Sequence, residues 1–309
     1  METLLIAIKT VLPLFLIIFA GALFSRIKSD TKNWVEILNK YALCIGFPAL
    51  VVASLMHLEI GEQSYTNLIL INSAYIIFCF LLPFPIAKIF RLSNKMRSSL
   101  FLILPFGNIA YLGMPVLQNT FGDQILPVAA IISAVYVFWL LTLGIILIEI
   151  FGKEKFEPQK LLLSLVKNPL LISVFVGLAI VVFKVKVPTV LSETIQLFAN
   201  SVTAVVLFSL GIFLGFHKTG SKKEWSNVLL WIGVTMFLLP LLFFEVLHFF
   251  QVETQLLKSS VIDAAMPLGL TPYALSIQYK LKTTLLARIV VLGTLLSLII
   301  IPLWITFLG

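Results

Sequence analysis

The chain is 309 residues long, 60% hydrophobic and only 12% charged, with a mean hydropathy of +1.08. No water-soluble domain carries so much apolar residue on its surface, so the solvent of this chain is a membrane. The net charge of +8 does not make it a nucleic-acid binder, because Lys and Arg are scattered through short loops without a continuous basic stripe; the two cysteines, Cys44 and Cys79, lie in apolar runs and offer neither a disulfide framework nor a zinc site.

Apolar stretches of about 20 residues, the length that crosses the hydrocarbon core, predict ten helices. They cover 4–25, 33–56, 65–87, 98–119, 125–149, 161–183, 191–216, 226–249, 256–279 and 284–307. Segments such as LLTLGIILIEI are apolar on every face, which excludes the period-two alternation of a β-barrel. The first run lacks the basic leader and small-residue cleavage site of a secretory signal and reads as a retained helix.

In the second span Glu36 and Lys40 form an i,i+4 pair. The fourth span, SLFLILPFGNIAYLGMPVLQ, cannot run straight through the membrane. Pro105 and Pro115 each remove a backbone donor, Gly107 and Gly113 weaken the helix, and Asn108 stands at mid-membrane. In span five Tyr136 either packs or reaches a cavity. The linker GKEKFEPQK at 151–160 divides the chain into halves of five spans, 1–150 and 161–309. In span seven Gln196, Asn200 and Thr203 share a helical face that should look inward, toward other helices or a cavity. Glu245 of span eight reads as structural. Span nine, SSVIDAAMPLGLTPYALS, is broken again, with Pro267, Gly269 and Pro272 following Asp263. His57, His217 and His248 sit at membrane ends and have no metal-ligand spacing.

Lys and Arg gather in alternate loops: Arg26, Lys28 and Lys32; Lys88, Arg91, Lys95 and Arg97; Lys153, Lys155 and Lys160; Lys218, Lys222 and Lys223; Lys280 and Lys282. The opposite loops hold only Lys184, Lys186 and Lys258, and one of them carries Glu59 and Glu62. Cytoplasmic loops are the basic ones, so both termini should lie outside and the central linker inside. Five spans per half then force opposite orientations, the geometry of inverted repeats. PLFLIIFAG from Pro13 resembles PLLISVFVG from Pro169, and Arg97-Ser98-Ser99 resembles Lys258-Ser259-Ser260.

Broken helices at bilayer depth are tolerated only where protein or water surrounds them, so the paired breaks predict a solvated central cavity. Free half-helix N-termini would hold an anion there and exposed carbonyls a cation. Asp263 is the acid most clearly embedded. It must be paired, neutralised or solvated, by exchanging a proton, by helping to hold Na⁺, or by pairing with Lys258.

With PFGNIAYLGMP in span four and AAMP followed by GLTPYALSIQY in span nine, the chain resembles the auxin efflux carrier family, in its compact bacterial form. The resemblance runs along the whole chain and implies a ten-helix fold with scaffold and crossover transport domains, elevator-like movement and organic-anion substrates. Asn108, Gly113 and Pro115 match its first motif and Pro267 its second. Candidate substrate contacts are thus Gly107, Asn108, Gly113, Pro115, Pro267, Tyr136 and Asn200. Pro105, Pro115, Pro267 and Pro272 read as helix breakers; Asp263, to which the resemblance assigns no role, is the candidate ion-coupling residue by its embedded position. The expected partners are a small organic anion and the lipid bilayer of the inner (plasma) membrane, with no nucleic acid; a homodimer is compatible. No cofactor is expected apart from Na⁺ or H⁺ as coupling ion. A channel or a ligand-sensing membrane module is the alternative. Pumping by nucleotide hydrolysis is not expected, since no P-loop pattern occurs, nor is an intramembrane enzyme, since paired acids, a Ser with His and a metal site are not found.

Overall fold

The computed structural model describes residues 2–27, 30–56, 65–152, 159, 163, 166–216 and 225–309. Most of the predicted linker, the start of predicted span six, the loops bearing Glu59, Glu62 and Lys218–Lys223, and His57 and His217 lie outside the described residues.

The first half comprises α1 (Glu2–Ile27), α2 (Thr31–Tyr41), α3 (Phe47–Leu55), α4 (Thr66–Leu81), α5 (Pro83–Ile89), α6 (Asn94–Ile103), α7 (Met114–Phe121), α8 (Leu126–Trp139) and α9 (Ile145–Gly152). The second comprises α10 (Pro169–Val182), α11 (Thr189–Phe216), α12 (Trp225–Gly233), α13 (Leu239–Phe249), α14 (Thr254–Ala264), α15 (Leu270–Gln278) and α16 (Thr283–Leu308). Single π-helical turns join α2 to α3, α8 to α9 and α12 to α13, so each pair forms one long helix. Among the described residues six stretches are long and apolar enough to cross a membrane: Thr31–Ala53, Thr66–Ile89, Asp123–Phe151, Thr189–Phe216, Trp225–Phe249 and Thr283–Leu308. Leu12–Ile27 and Leu171–Val182 are apolar but shorter. The α6–α7 and α14–α15 segments fall short of this length because each is interrupted. The chain is an all-α, multi-pass membrane protein.

Proline alone does not make the interruptions. Pro13 and Pro302 sit inside unbroken α1 and α16. The breaks come where proline is followed two residues later by glycine, at Pro105-Phe106-Gly107 and Pro267-Leu268-Gly269. There the two extended segments cross antiparallel at Gly107 and Leu268. The Asn108 N–H donates to the Pro267 carbonyl at 2.6 Å and the Gly269 N–H to the Phe106 carbonyl at 3.4 Å. Each break thus supplies a partner for backbone groups the other has freed, as burial in hydrocarbon requires.

Around the crossing, α1 packs along α11, and α10 packs on α3. Tyr41 and Ser201 hydroxyls bond at 2.7 Å, and Ser209 Oγ donates to Asn39 Oδ1 at 2.9 Å, tying α2 to α11. Asn72 Nδ2 donates to Ser260 Oγ at 2.9 Å, tying α4 to α14. The Trp304 indole N–H donates to the Met236 carbonyl at 2.8 Å, meeting a backbone acceptor in the π-helical turn before α13. Glu36 and Lys40 form their pair at 2.7 Å on the exposed face of α2.

The polar face of α11 is not the inward one. Gln196 and Asn200 are exposed and satisfy each other, with Gln196 Nε2 donating to Asn200 Oδ1 at 2.8 Å; Ala199, Val202, Val206 and Leu210 form the buried side instead. A side-chain amide pair four residues apart closes its own hydrogen bond and needs no partner helix.

Candidate functional site

Asn108 begins the second part of the broken α6–α7 segment. Its carbonyl accepts from the N–H groups of Leu112 at 2.9 Å and Gly113 at 3.0 Å, which starts a π-helical turn over Ile109–Gly113 ahead of α7. Pro115 follows that turn directly, in the first turn of α7, where the π-helical widening falls just ahead of the residue that lacks an N–H. On the other side of the crossing Gly269 precedes the first turn of α15.

Between these starts lies a cavity of about 180 Å³. Its walls come from the crossing (Phe106 to Tyr111), from Ser133 and Tyr136 of α8, from Gly269 to Pro272, from Leu43 and Phe47, and from Asn168 and Pro169. Asn168 caps α10, its side-chain oxygen accepting the Leu171 N–H at 3.2 Å. Two helices, α10 and α15, therefore open their N-terminal turns on one cavity. Asn108, Ser133 and Tyr136 are buried, at 3%, 1% and 4% exposure. Asn108 Nδ2, Ser133 Oγ and Tyr136 OH have no hydrogen-bond partner among the described residues. Among the described residues no charged side chain lines the walls. This is an electrically neutral site of hydrogen-bond donors and helix N-termini, which suits a carboxylate.

Of the residues singled out in the sequence, Gly107, Asn108, Tyr136 and Pro272 line the cavity. Pro267 sits beside it as acceptor of the Asn108 N–H, while Pro105, Gly113 and Pro115 are buried in the broken segment without lining the cavity. Asn200 stands apart on the exposed face of α11. Asp263 is completely buried behind the crossing, outside the cavity wall. A Cβ on Gly113 would lie 2.3 Å from its Oδ1, and one on Gly107 3.3 Å from its main-chain oxygen. Both carboxyl oxygens lack a hydrogen-bond partner among the described residues. Lys258 does not reach it; its ammonium group donates to the Gly309 carbonyl. Ser133 and Asn168 were not singled out. Ser133 was readable as lying one helical turn before Tyr136 on the same face, and Asn168-Pro169 as a helix start.

Interrupted helices crossing beside a small donor-lined cavity, in a chain of long apolar helices, define a multi-pass membrane protein built around a solute-sized site. The family described as membrane transport protein matches residues 6–305, so the chain belongs to that family, which includes the auxin efflux carriers and consists of transporters, not enzymes. An uncharacterized transporter of Methanocaldococcus jannaschii is 23% identical over 97% of this chain and 98% of its own length. A Rhizobium meliloti protein provisionally named a malonate transporter is 21% identical over 93% of this chain and 91% of its own. Auxin efflux carrier component 7 of Arabidopsis thaliana is 25% identical over 47% of this chain and 24% of its own length.

Proposed function

We propose that the protein is a secondary transporter of a small carboxylate, bound in the cavity at the crossing and moved by alternating access. The observation that carries this reading is the convergence of Asn108, Ser133 and Tyr136, three buried side chains with unmet polar atoms, on a cavity into which α10 and α15 open their N-terminal turns. A carboxylate accepts from several donors at once and is favoured by helix N-termini; an apolar solute would leave those donors unmet. The Rhizobium relative's name points to the same class of solute.

The architecture reads as ten spans in two inverted repeats, 1–150 and 161–309, in the inner membrane with both termini outside. Loop charge supports the orientation. Matching local structures support the repeat. The Pro-x-Gly breaks stand 162 positions apart, from Pro105 to Pro267. The helices before them end in the same cap, with Arg91 at φ 48° and Gln251 at φ 51°. Beyond each cap one N–H reaches back five residues, Leu92 to Ala87 and Val252 to Leu247. The contacts of α1 with α11 and of α10 with α3 are the same pairing, first helix of one half on second helix of the other. Those helices form a scaffold and the crossing belongs to a moving body, an elevator arrangement. The cavity lies on their boundary, with Phe47 and Asn168 from one side and Asn108, Ser133 and Tyr136 from the other.

Counterflow tests this. Proteoliposomes preloaded with malonate should take up labelled malonate saturably, and Asn108→Ala should raise the half-saturating concentration about tenfold, the effect of losing one buried hydrogen bond to a charged group. A current indifferent to malonate on the opposite side would sink the carrier reading.

A further inference from the structure

Asp263 is tied to both ends of the turn that carries Asn108. Its main-chain oxygen lies against Gly107 and its carboxyl against Gly113, so the 107–113 segment, which forms one wall of the cavity, rests on this residue at two points. The carboxyl is closed off from solvent, with its oxygens unpartnered. Of the elements packed around α14, α8 presents Tyr136, which is within electrostatic reach of the carboxyl. From α4 come Tyr75 and Cys79, Tyr75 stacking on Phe243 of α13. Tyr111 of the π-helical turn packs edge-on against Phe47. Glu245 and His248 of α13 and Arg288 of α16 complete the titratable and charged groups of these elements, and no described residue hydrogen-bonds to the carboxyl.

Resting on the carboxylate reading above, we infer that Asp263 is the coupling site of this transporter and that the ion it carries is a proton, taken up together with the substrate anion. An ionised carboxylate here would stand in a low-dielectric space without a counter-charge, whereas the neutral acid fits the close contact with Gly113. Both carboxyl oxygens lack a hydrogen-bond partner among the described residues, and one bound proton neutralises the group with no further ligand, whereas a metal cation needs several oxygens in addition. An anion in the cavity repels an ionised Asp263 and leaves a protonated one unaffected, so anion and proton favour each other's binding reciprocally. In the step itself a hydronium ion reaching the cavity from bulk water gives its proton to one carboxylate oxygen, leaving water and the neutral acid, and after the anion has left the acid returns that proton to a water molecule. Tyr136 lines the cavity from α8, which packs on α14, and this makes it the candidate for the route between cavity and carboxyl.

Two measurements on the full chain in lipid nanodiscs test the inference. In a weakly buffered solution with a pH indicator, malonate, fully ionised above neutrality, should drive proton uptake by the wild type at an alkaline pH at which ligand-free Asp263 has lost its proton. Its affinity should fall with rising pH, approaching about tenfold per unit for one coupled proton. Asp263→Asn should take up no protons and bind with a flat pH profile. Proton-independent binding in the wild type, an unchanged profile in Asp263→Asn, or affinity that tracks Na⁺ at fixed pH would overturn the inference. The second measurement needs no ligand and no variant. The chain has three aspartates, and Asp30 and Asp123 are exposed. Infrared spectra with ¹³C-labelled aspartate should therefore contain an isotope-shifted carboxylic-acid stretch at neutral pH, from Asp263; its absence overturns the proton assignment even if Asp263→Asn does not fold. Failure of malonate to bind while that stretch is present counts against the carboxylate reading and leaves the proton site standing.

Discussion

Gly113→Ala is expected to destabilise the protein by about 1–3 kcal/mol, the usual range for overpacking, and to reduce malonate transport at least about tenfold. The added Cβ would stand 2.3 Å from Asp263 Oδ1, and the same Cβ would be 3.5 Å from Met266 Cγ. Aspartate has a short side chain, and this one is fully enclosed, so it has nowhere to swing. The backbone of the π-helical turn has to move instead, and it takes Asn108 away from the Pro267 carbonyl and out of the cavity wall. A double-mutant cycle separates this contact from a general intolerance of side chains. In an Asp263→Ala background the penalty of Gly113→Ala should shrink, with a coupling of about 0.5–3 kcal/mol in thermal or denaturant melts. Equal penalties in both backgrounds would remove Asp263 as the cause. Gly233→Ala is the control: its Cβ would meet nothing within 4 Å, at a helical φ of −59° and ψ of −41°. It should be neutral or stabilise by up to about 1 kcal/mol.

The crossing was legible in the sequence because its cause is local. Pro-x-Gly removes a donor and then relaxes the backbone, and the same pattern occurs in both halves, at Pro105 and Pro267. The same logic over-reads a lone proline, since Pro13 and Pro302 leave their helices continuous. What the breaks touch was not legible. Asp263 meets Gly113 across 150 positions, and no spacing rule connects them. The inward prediction for Gln196 and Asn200 failed for a related reason. A polar stripe has a direction only relative to a partner, and these two amides are partners to each other. Asn168 was missed because a helix-capping asparagine looks the same whether its helix starts at the membrane surface or beside a cavity. In α11, Gly211 and Gly215 stand four apart, a close-packing signature that could have been read but whose partner, α1, lies far away in sequence.

That pair carries the second large effect. Gly211→Val should collapse the yield of folded protein, costing about 3 kcal/mol or more, at the upper end for overpacking. A Cβ at Gly211 would lie 2.0 Å from the Ile18 carbonyl oxygen, and one at Gly21, on the facing helix, 2.2 Å from the Phe208 carbonyl oxygen. One turn further along, Gly215 would meet Ser25 Oγ at 2.0 Å and the Ala22 carbonyl oxygen at 2.7 Å. These obstacles are largely backbone, so no rotamer change relieves them and the two helices must separate along the whole contact. In lipid no hydrophobic gain compensates, because the tails are as apolar as the side chains; association rests on the close packing that separation destroys. Gly177→Ala should be milder, since it adds one methyl group that presses on a single residue, at 2.8 Å on Leu55 Cβ and 2.9 Å on its Cδ1, and meets no carbonyl oxygen. Fluorescence-detected size exclusion after solubilisation orders the two variants. Gly211 does not line the cavity, so the fraction of Gly211→Val that does fold should bind malonate with wild-type affinity. A variant that folds in full yet loses affinity would mean that α1 and α11 move relative to one another during transport and are not a fixed frame.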